Sequence, residues 1–209
     1  RHMGAQFPPK LQLTGTMDGA IGYAGQGSLQ GALAFHDTAL AIPDSPPVRF
    51  EQAHIILDHG HARLSPALVR GGDGDEARIE ADYALDSQTL DLAISTGAMN
   101  VESLRAQVSL AAVPCLEQFT TGQWSGELHY HRGPAEQAWS GRLALTDATI
   151  AVPGLADLVQ LNTAHAQIDG ARVVIDRIKG QAGKLAFTGD YRYETGVERH
   201  HRGHLRAET

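Results

Sequence analysis

The same thirteen-residue segment occurs twice in this chain, and the repeat limits what the chain can fold into. The segment Gly31–Pro43 reads GALAFHDTALAIP, and Gly141–Pro153, 110 positions later, reads GRLALTDATIAVP. The Gly, the Leu-Ala pair, the Asp, a later Ala and the Pro coincide. Self-similarity at a fixed spacing is typical of folds built from stacked copies of one supersecondary unit.

The match extends beyond this segment in both directions. Three further pairs of segments correspond at offsets between 107 and 111: residues 15–23 with 122–130, 48–54 with 159–165, and 82–83 with 190–191. Small insertions therefore fall between the matched segments. We predict two tandem units of about 110 residues in one continuous domain, 13–105 and 119–209, preceded by a linker over 1–12.

Alternation of apolar and polar residues predicts strands with one apolar face. The segment around residue 80 is the clearest case: its apolar residues are Ile79, Ala81, Tyr83 and Leu85, and its polar residues are Arg78, Glu80 and Asp82. Antiparallel sheets commonly show such one-sided patterning. The fold class expected is mostly β, a curved antiparallel sheet that forms a trough, or repeating β-groove.

The alternation changes phase at the same place in both copies. Leu33 and Phe35 occupy odd positions whereas Leu40 and Ile42 occupy even ones, and the break falls at Asp37-Thr38. The second copy breaks at the matching pair, residues 147–148. A period of two permits this on one face only with an extra residue, so we predict a β-bulge or tight corner in each copy. A second slip, after Phe50 and after its counterpart Leu161, predicts further curvature.

One segment favours a helix. Asn100 can cap it, and apolar residues follow at spacings of three and four: Val101, Leu104, Val108, Ala112, Cys115 and Phe119. Pro114 would end or kink it. We therefore predict a short amphipathic helix over residues 100–119 that connects the two units.

Composition excludes several classes of function. The formal charge of −7, without a basic stripe, argues against a nucleic-acid partner. Cys115 is the one cysteine, so there is no disulfide framework. The chain has no run of eighteen apolar residues. Because Arg1-His2-Met3 is typical of a cloning scar, we expect an internal fragment, and any export signal or membrane anchor of the parent protein would then lie outside this sequence.

The eleven histidines suggest a metal site, but their pattern does not favour one. Two pairs have strand spacing, His59-x-His61 and His129-x-His131, and a third group is 200–204, yet none has a neighbouring Cys or a counterpart in the other unit. His54 and His165 do recur, on the face predicted to be polar, so surface histidines are favoured. The acidic turn that contains Asp73 and Asp75 favours a solvated hairpin over a calcium site. No nucleophile motif is present. We predict no enzyme, no metal and no cofactor.

The repeated motifs resemble those of the AsmA-like family, envelope proteins of diderm bacteria similar to TamB and to bridge-like lipid transfer proteins. The resemblance rests on G-x-L-x-[FL]-x-D-[AT]-x-[LI]-x-[IV]-P, on VESL…P-x-LEQF, and on G-x-x-x-G-x-L-x-Y. It covers nearly the whole chain. It implies a U-shaped trough that carries phospholipid or other acyl lipids, a periplasmic location, and an inner-membrane anchor in the parent protein.

On this interpretation the lipid groove is lined by the apolar face of the sheet. Its predicted residues are Leu33, Phe35, Leu40, Ile42, Ile55, Leu57, Ile79, Tyr83, Leu85, Leu92, Ile94, Leu143, Leu145, Ile150, Val152, Leu185, Phe187, Tyr191 and Tyr193.

Two alternatives remain open at this point: a structural or adhesive β-solenoid with a filled core, and an enzyme with a polar pocket near His59, His61, Asp73 and Asp75. We also expect the unpaired edge strands to self-associate.

Overall fold

The structure, a computed structural model, describes residues 12–23, 29–41, 48–70, 75–102, 119–150, 158–194 and 200–208. These residues form one twelve-stranded, antiparallel, curved and open sheet in which the strands follow sequence order. The first six strands are β1 (Gln12–Tyr23), β2 (Leu29–Ala41), β3 (Val48–Asp58), β4 (His61–Arg70), β5 (Glu76–Ala84) and β6 (Thr89–Asn100). The last six are β7 (Phe119–Arg132), β8 (Gln137–Ile150), β9 (Val159–Asp169), β10 (Arg172–Ala182), β11 (Leu185–Glu194) and β12 (His201–Glu208). The predicted fold class is confirmed at this level.

Tight two-residue turns join β3 to β4, β9 to β10 and β10 to β11. His59 and Gly60 alone connect β3 to β4, with φ values of 47° and 78°. Two successive residues with positive φ give the turn whose twist matches that of the flanking antiparallel strands. Gly170 (φ 56°) lies in the two-residue turn that precedes β10, and Gly183 (φ 59°) lies in the two-residue turn that follows it. Each turn returns the chain beside the strand it has just left.

The predicted bulges are confirmed. Asp37 has a φ of 47° and Asp147 a φ of 49°, a left-handed conformation that aspartate tolerates better than most residues. Around Asp147, Thr149 lies opposite Thr121 and Thr146 lies opposite Gln123, so two residues of β8, Asp147 and Ala148, face the single residue Gly122 of β7. The extra residue thus lets the buried side chains of Leu145 and Ala148 share one face.

The second predicted slip lies beside the first. Phe50 pairs with Thr38, and Ala53 pairs with Phe35. The apolar alternation therefore changes phase at directly opposite positions of β2 and β3. In the second half the corner continues into β10, where Arg177 has a φ of 51° between Ile175 and Ile178. Bulges aligned across neighbouring strands bend a sheet.

The described core lies on one face and is centred on β6–β10. The largest fully buried side chains are Trp124, Phe119, Ile94, Met99, Leu128, Leu145, Ile168, Val69 and Val101. Most of them come from the second half of the chain.

The predicted helix is only partly within the described residues. Val101 and Glu102 are helical, and residues 103–118 lie outside the described ranges. The placement of Phe119 in the helix was wrong, because Phe119 is the first residue of β7 and packs its side chain into the core. Asn100 closes β6, where its backbone N–H donates to Asp75 Oδ2 at 2.9 Å. No helix within the described ranges is long and apolar enough to cross a membrane.

The division into two tandem units stays a prediction, although several conformations recur at matched positions. Gly15 and Gly122 have φ values of 133° and 131°, and Gly31 and Gly141 have values of 155° and 149°. At Gly141 an added Cβ would lie 2.2 Å from Glu127 O, so only glycine fits that approach between strands.

Candidate functional site

Two overlapping rows of opposed residues carry apolar side chains across the sheet, and we call them together the apolar stripe. The first row, from β1 to β8, is Gly19, Leu33, Ile55, Leu64, Ala81, Leu92, Tyr130 and Trp139. The second row, from β4 to β11, is Ala67, Ile79, Ile94, Leu128, Gly141, Ile168, Val173 and Tyr193. Residues directly opposite on neighbouring antiparallel strands point to the same face. The stripe contains no ionisable side chain except the two tyrosines.

Burial along the stripe is uneven. Leu128 and Val173 are completely buried, whereas the stripe residues Leu33 and Ile55 in β2 and β3 are half-buried. At the two outermost strands the same face is open, with Ile21 49% and Leu205 67% exposed. The middle of the face is therefore filled by protein, and its two ends are accessible.

The structure places the predicted groove residues on this face wherever it describes them within strands. Four are buried: Ile94, Leu143, Leu145 and Tyr193. Nine are half-buried: Leu33, Phe35, Ile55, Leu57, Ile79, Leu92, Ile150, Phe187 and Tyr191. Tyr83 and Leu185 are exposed, and Leu85 is exposed in the turn after β5. Ile42, Val152 and the side chain of Leu40 lie outside the described part of the chain.

The sequence interpretation missed several residues of the stripe. Leu128, Trp139 and Leu64 were not among the predicted groove residues, yet they complete its two rows. Tyr130 packs on Trp139 with ring centroids 4.8 Å apart. Alternation could have identified Leu128, because it lies two residues before Tyr130 and four residues after Trp124 in one alternating segment.

The opposite face carries ion pairs in place of apolar contacts. His61 Nδ1 lies 2.7 Å from Asp82 Oδ1, and Arg63 Nε donates to Asp82 Oδ2 at 3.0 Å. The hydrogen bond from His61, with that from Arg63, holds the pKa of Asp82 below its usual value. Further along the same row, His131 Nδ1 lies 2.6 Å from Asp91 Oδ1, and this hydrogen bond raises the pKa of His131.

A shallow pocket lies on this polar face across β3 to β8. It has a volume of about 450 Å³, and its charged lining includes Arg63, Glu80, Asp82, Asp91, His129 and His131. It is displaced from the site that the enzyme hypothesis named, because His59 lies in the β3–β4 turn and Asp75 binds Asn100. Asp73 lies outside the described residues.

The histidine pairs do not converge on one point. His61 contacts Asp82, His129 contacts Glu127, and His131 contacts Asp91, each with a separate carboxylate. Within the described ranges, no three His, Cys, Asp or Glu side chains are grouped closely enough to hold a metal ion. His54 and His165 are exposed, on the polar face.

Comparisons with family models, with curated proteins and with solved structures find no match to this chain.

Proposed function

We propose that this chain is a periplasmic segment of a lipid transport protein whose apolar face carries phospholipid acyl chains between the inner and outer membranes. The observation that carries the proposal is the apolar stripe, which runs from β1 to β11 without a charged side chain. The resemblance of the repeated motifs to the AsmA-like family supports the same function.

The distribution of charge supports this choice of face. Ion pairs such as Arg63 with Asp82 lie on the polar face, whereas the apolar stripe has no ion pair among the described residues. Apolar surface in contact with water is unfavourable by about 25 cal/mol per Å². Exposed residues on the stripe's face, such as Leu185 and Tyr83, therefore favour an apolar occupant.

The second candidate function is a structural scaffold, and one observation favours it. Leu128, Leu145 and Val173 are completely buried, as expected of a packed core rather than an open channel. The two functions differ in whether lipid or protein fills the face at β5 and β11, where Ile79 and Phe187 are only half-buried.

A pair of neighbouring aspartate substitutions tests the proposal. Phe187→Asp places a carboxylate on the stripe's face, whereas Thr188→Asp places it one residue away on the polar face, between Lys179 and Arg206. We expect Phe187→Asp to lose most of the phospholipid that co-purifies with the chain, measured by mass spectrometry, and Thr188→Asp to retain it.

The controls decide between the two candidate functions. Circular dichroism must show that Phe187→Asp remains folded, since a charge in a filled core would unfold the chain. Photo-reactive residues at 187 and 188 provide the second measurement, with lipid crosslinks expected at 187 alone. Unfolding of Phe187→Asp, or equal crosslinking at both positions, would favour the scaffold.

A further inference from the structure

The two outer strands of the sheet have an open side. β1 pairs only with β2 and β12 pairs only with β11 among the described residues. Both outer strands present apolar side chains to solvent on the stripe's face: Met17 is 57% exposed, Ile21 49% and Leu205 67%. Open backbone edges beside exposed apolar side chains are a template for pairing with another strand.

The repeat shows what covers such a strand. Met17 and Ile21 of β1 correspond to Trp124 and Leu128 of β7, which are 1% and 0% exposed. β7 differs from β1 because β6 pairs with its other side. In the repeat β6 corresponds to β12, since each is the sixth strand of its unit.

We propose that copies of this chain associate head to tail, with β12 of one copy pairing with β1 of the next as β6 pairs with β7. In an antiparallel sheet of twelve sequential strands, β1 and β12 run in opposite directions. β12 of one copy is therefore antiparallel to β1 of an identically oriented copy. Such a heterologous contact repeats along one direction and forms open assemblies rather than a closed dimer.

The internal interface also gives the register. Leu92 lies opposite Tyr130 and Ile94 opposite Leu128 across β6 and β7. Leu92 lies opposite Ala81 of β5, and Leu205 lies opposite Gly189 of β11. Ala81 and Gly189 are equivalent in the repeat, because each immediately precedes the repeated Asp-Tyr pair, 82–83 or 190–191.

Leu205 and Ala207 thus hold the positions of Leu92 and Ile94. We expect Leu205 to lie opposite Tyr23 of the next copy and Ala207 opposite its Ile21. This register pairs residues 205–208 with residues 20–23, so it covers Leu205 and Ile21 and leaves Met17 beyond the end of β12.

A symmetric alternative is less favourable. Pairing β12 with β12 of another copy brings the basic side chains of both strands together, because Arg202, His204 and Arg206 share one face. Like charges directly opposite each other destabilise a strand pair. In the head-to-tail register Arg206 lies opposite Gly22 of β1, a strand with no basic side chain.

Two complementary lysine substitutions test the proposal in delipidated protein. Ile21→Lys blocks β1 and Leu205→Lys blocks β12, and both positions are exposed enough to accept lysine in a single copy. Sedimentation velocity should show concentration-dependent assembly of the unsubstituted chain, monomers for each variant alone, and a dimer when the two variants are mixed. Ile56→Lys, 46% exposed on the polar face of an interior strand, is the matched control and should assemble normally.

Cysteine pairs test the register. With Cys115 replaced by serine, a mixture of Leu205→Cys and Tyr23→Cys chains should form an intermolecular disulfide, since directly opposed residues have Cα atoms about 4.5–5.5 Å apart. Arg206→Cys with Tyr23→Cys is the control, because residue 206 points to the other face.

Three results would overturn the proposal. The unsubstituted chain could remain monomeric up to millimolar concentration. Ile21→Lys alone could form dimers, which would indicate symmetric β12 pairing. The mixed variants could fail to form a dimer. None of these results bears on lipid binding.

Discussion

Truncation of Leu128 should show how tightly the middle of the apolar stripe is packed. Leu128 is completely buried between Ile94 of β6 and Gly141 of β8. Leucine-to-alanine changes at such sites cost about 2–5 kcal/mol, the loss of transfer free energy plus the cost of the cavity. Ile21 occupies the matching position in β1 but is 49% exposed. Ile21→Ala should therefore cost about 1 kcal/mol or less.

Urea unfolding of the two variants measures this difference. Thermal unfolding provides a second measurement. A loss of about 2 kcal/mol, the lower end of the range for Leu128→Ala, should lower the melting temperature of a chain of this size by about 4–8 °C. The decrease for Ile21→Ala should be less than half as large. The measurements belong at a concentration where sedimentation shows the chain to be monomeric, because edge pairing would bury Ile21. The slope of the unfolding free energy against urea should stay constant, because both variants expose similar surface.

Equal costs at the two positions would refute the reasoning. That result would mean that Leu128 is no better packed than an edge residue, and that the middle of the apolar face is open. A cost below about 1 kcal/mol for Leu128→Ala would carry the same meaning.

Two further predictions concern a glycine in β7 and a histidine on the polar face. Gly126→Ala should lower the free energy of unfolding by about 1–3 kcal/mol, because Gly126 has a φ of 131° and the added Cβ would lie 2.2 Å from Arg142 O. Gly97→Ala is its matched control, with no atom within 4 Å of the added Cβ, and calorimetry should show it neutral or slightly stabilising. An NMR titration should give His131 a pKa above its usual value, and Asp91→Asn should bring it back down, since Asp91 makes the main contact. Because the folded pKa is raised, the stabilisation by this pair is present below pH of about 6.5 and lost as the pH rises through the folded pKa. An unchanged His131 pKa in Asp91→Asn would contradict the assignment.

Alternation and repetition in the sequence predicted the strands and the bulges. The bulge at Asp37 was predictable because the same phase change occurs at Asp147, which makes chance coincidence a poor explanation. Both aspartates adopt positive φ and so depart from the extended strand conformation at the predicted break.

The burial of the stripe could not be predicted in the same way. Met17 and Trp124 have the same alternation and the same glycine neighbours, yet one is 57% and the other 1% exposed. Trp124 lies opposite Met99 of β6, whereas β1 has no described strand on that side, so burial depends on the neighbouring strands as well as on a strand's own sequence.

The sequence did not predict the ion pairs of the polar face or the end of the helix, for other reasons. Asp91 and His131 are forty residues apart, and only the register of β6 with β7 brings them to 2.6 Å. Phe119 was assigned to the predicted helix because it lies four residues after Cys115, a helical spacing. A single apolar residue at that spacing can equally be the first residue of a strand.

The sequential strand order has a consequence for how the chain folds. Within the described ranges, each strand pairs only with the strands before and after it along the chain, so none of these pairings requires distant segments to meet first. Sheets rich in non-local pairings fold slowly, whereas this one can nucleate at a single hairpin and grow outward by one strand at a time. Folding should begin at the buried β7–β8 hairpin, and amide hydrogen exchange in the native state should become progressively faster from there toward β1 and β12.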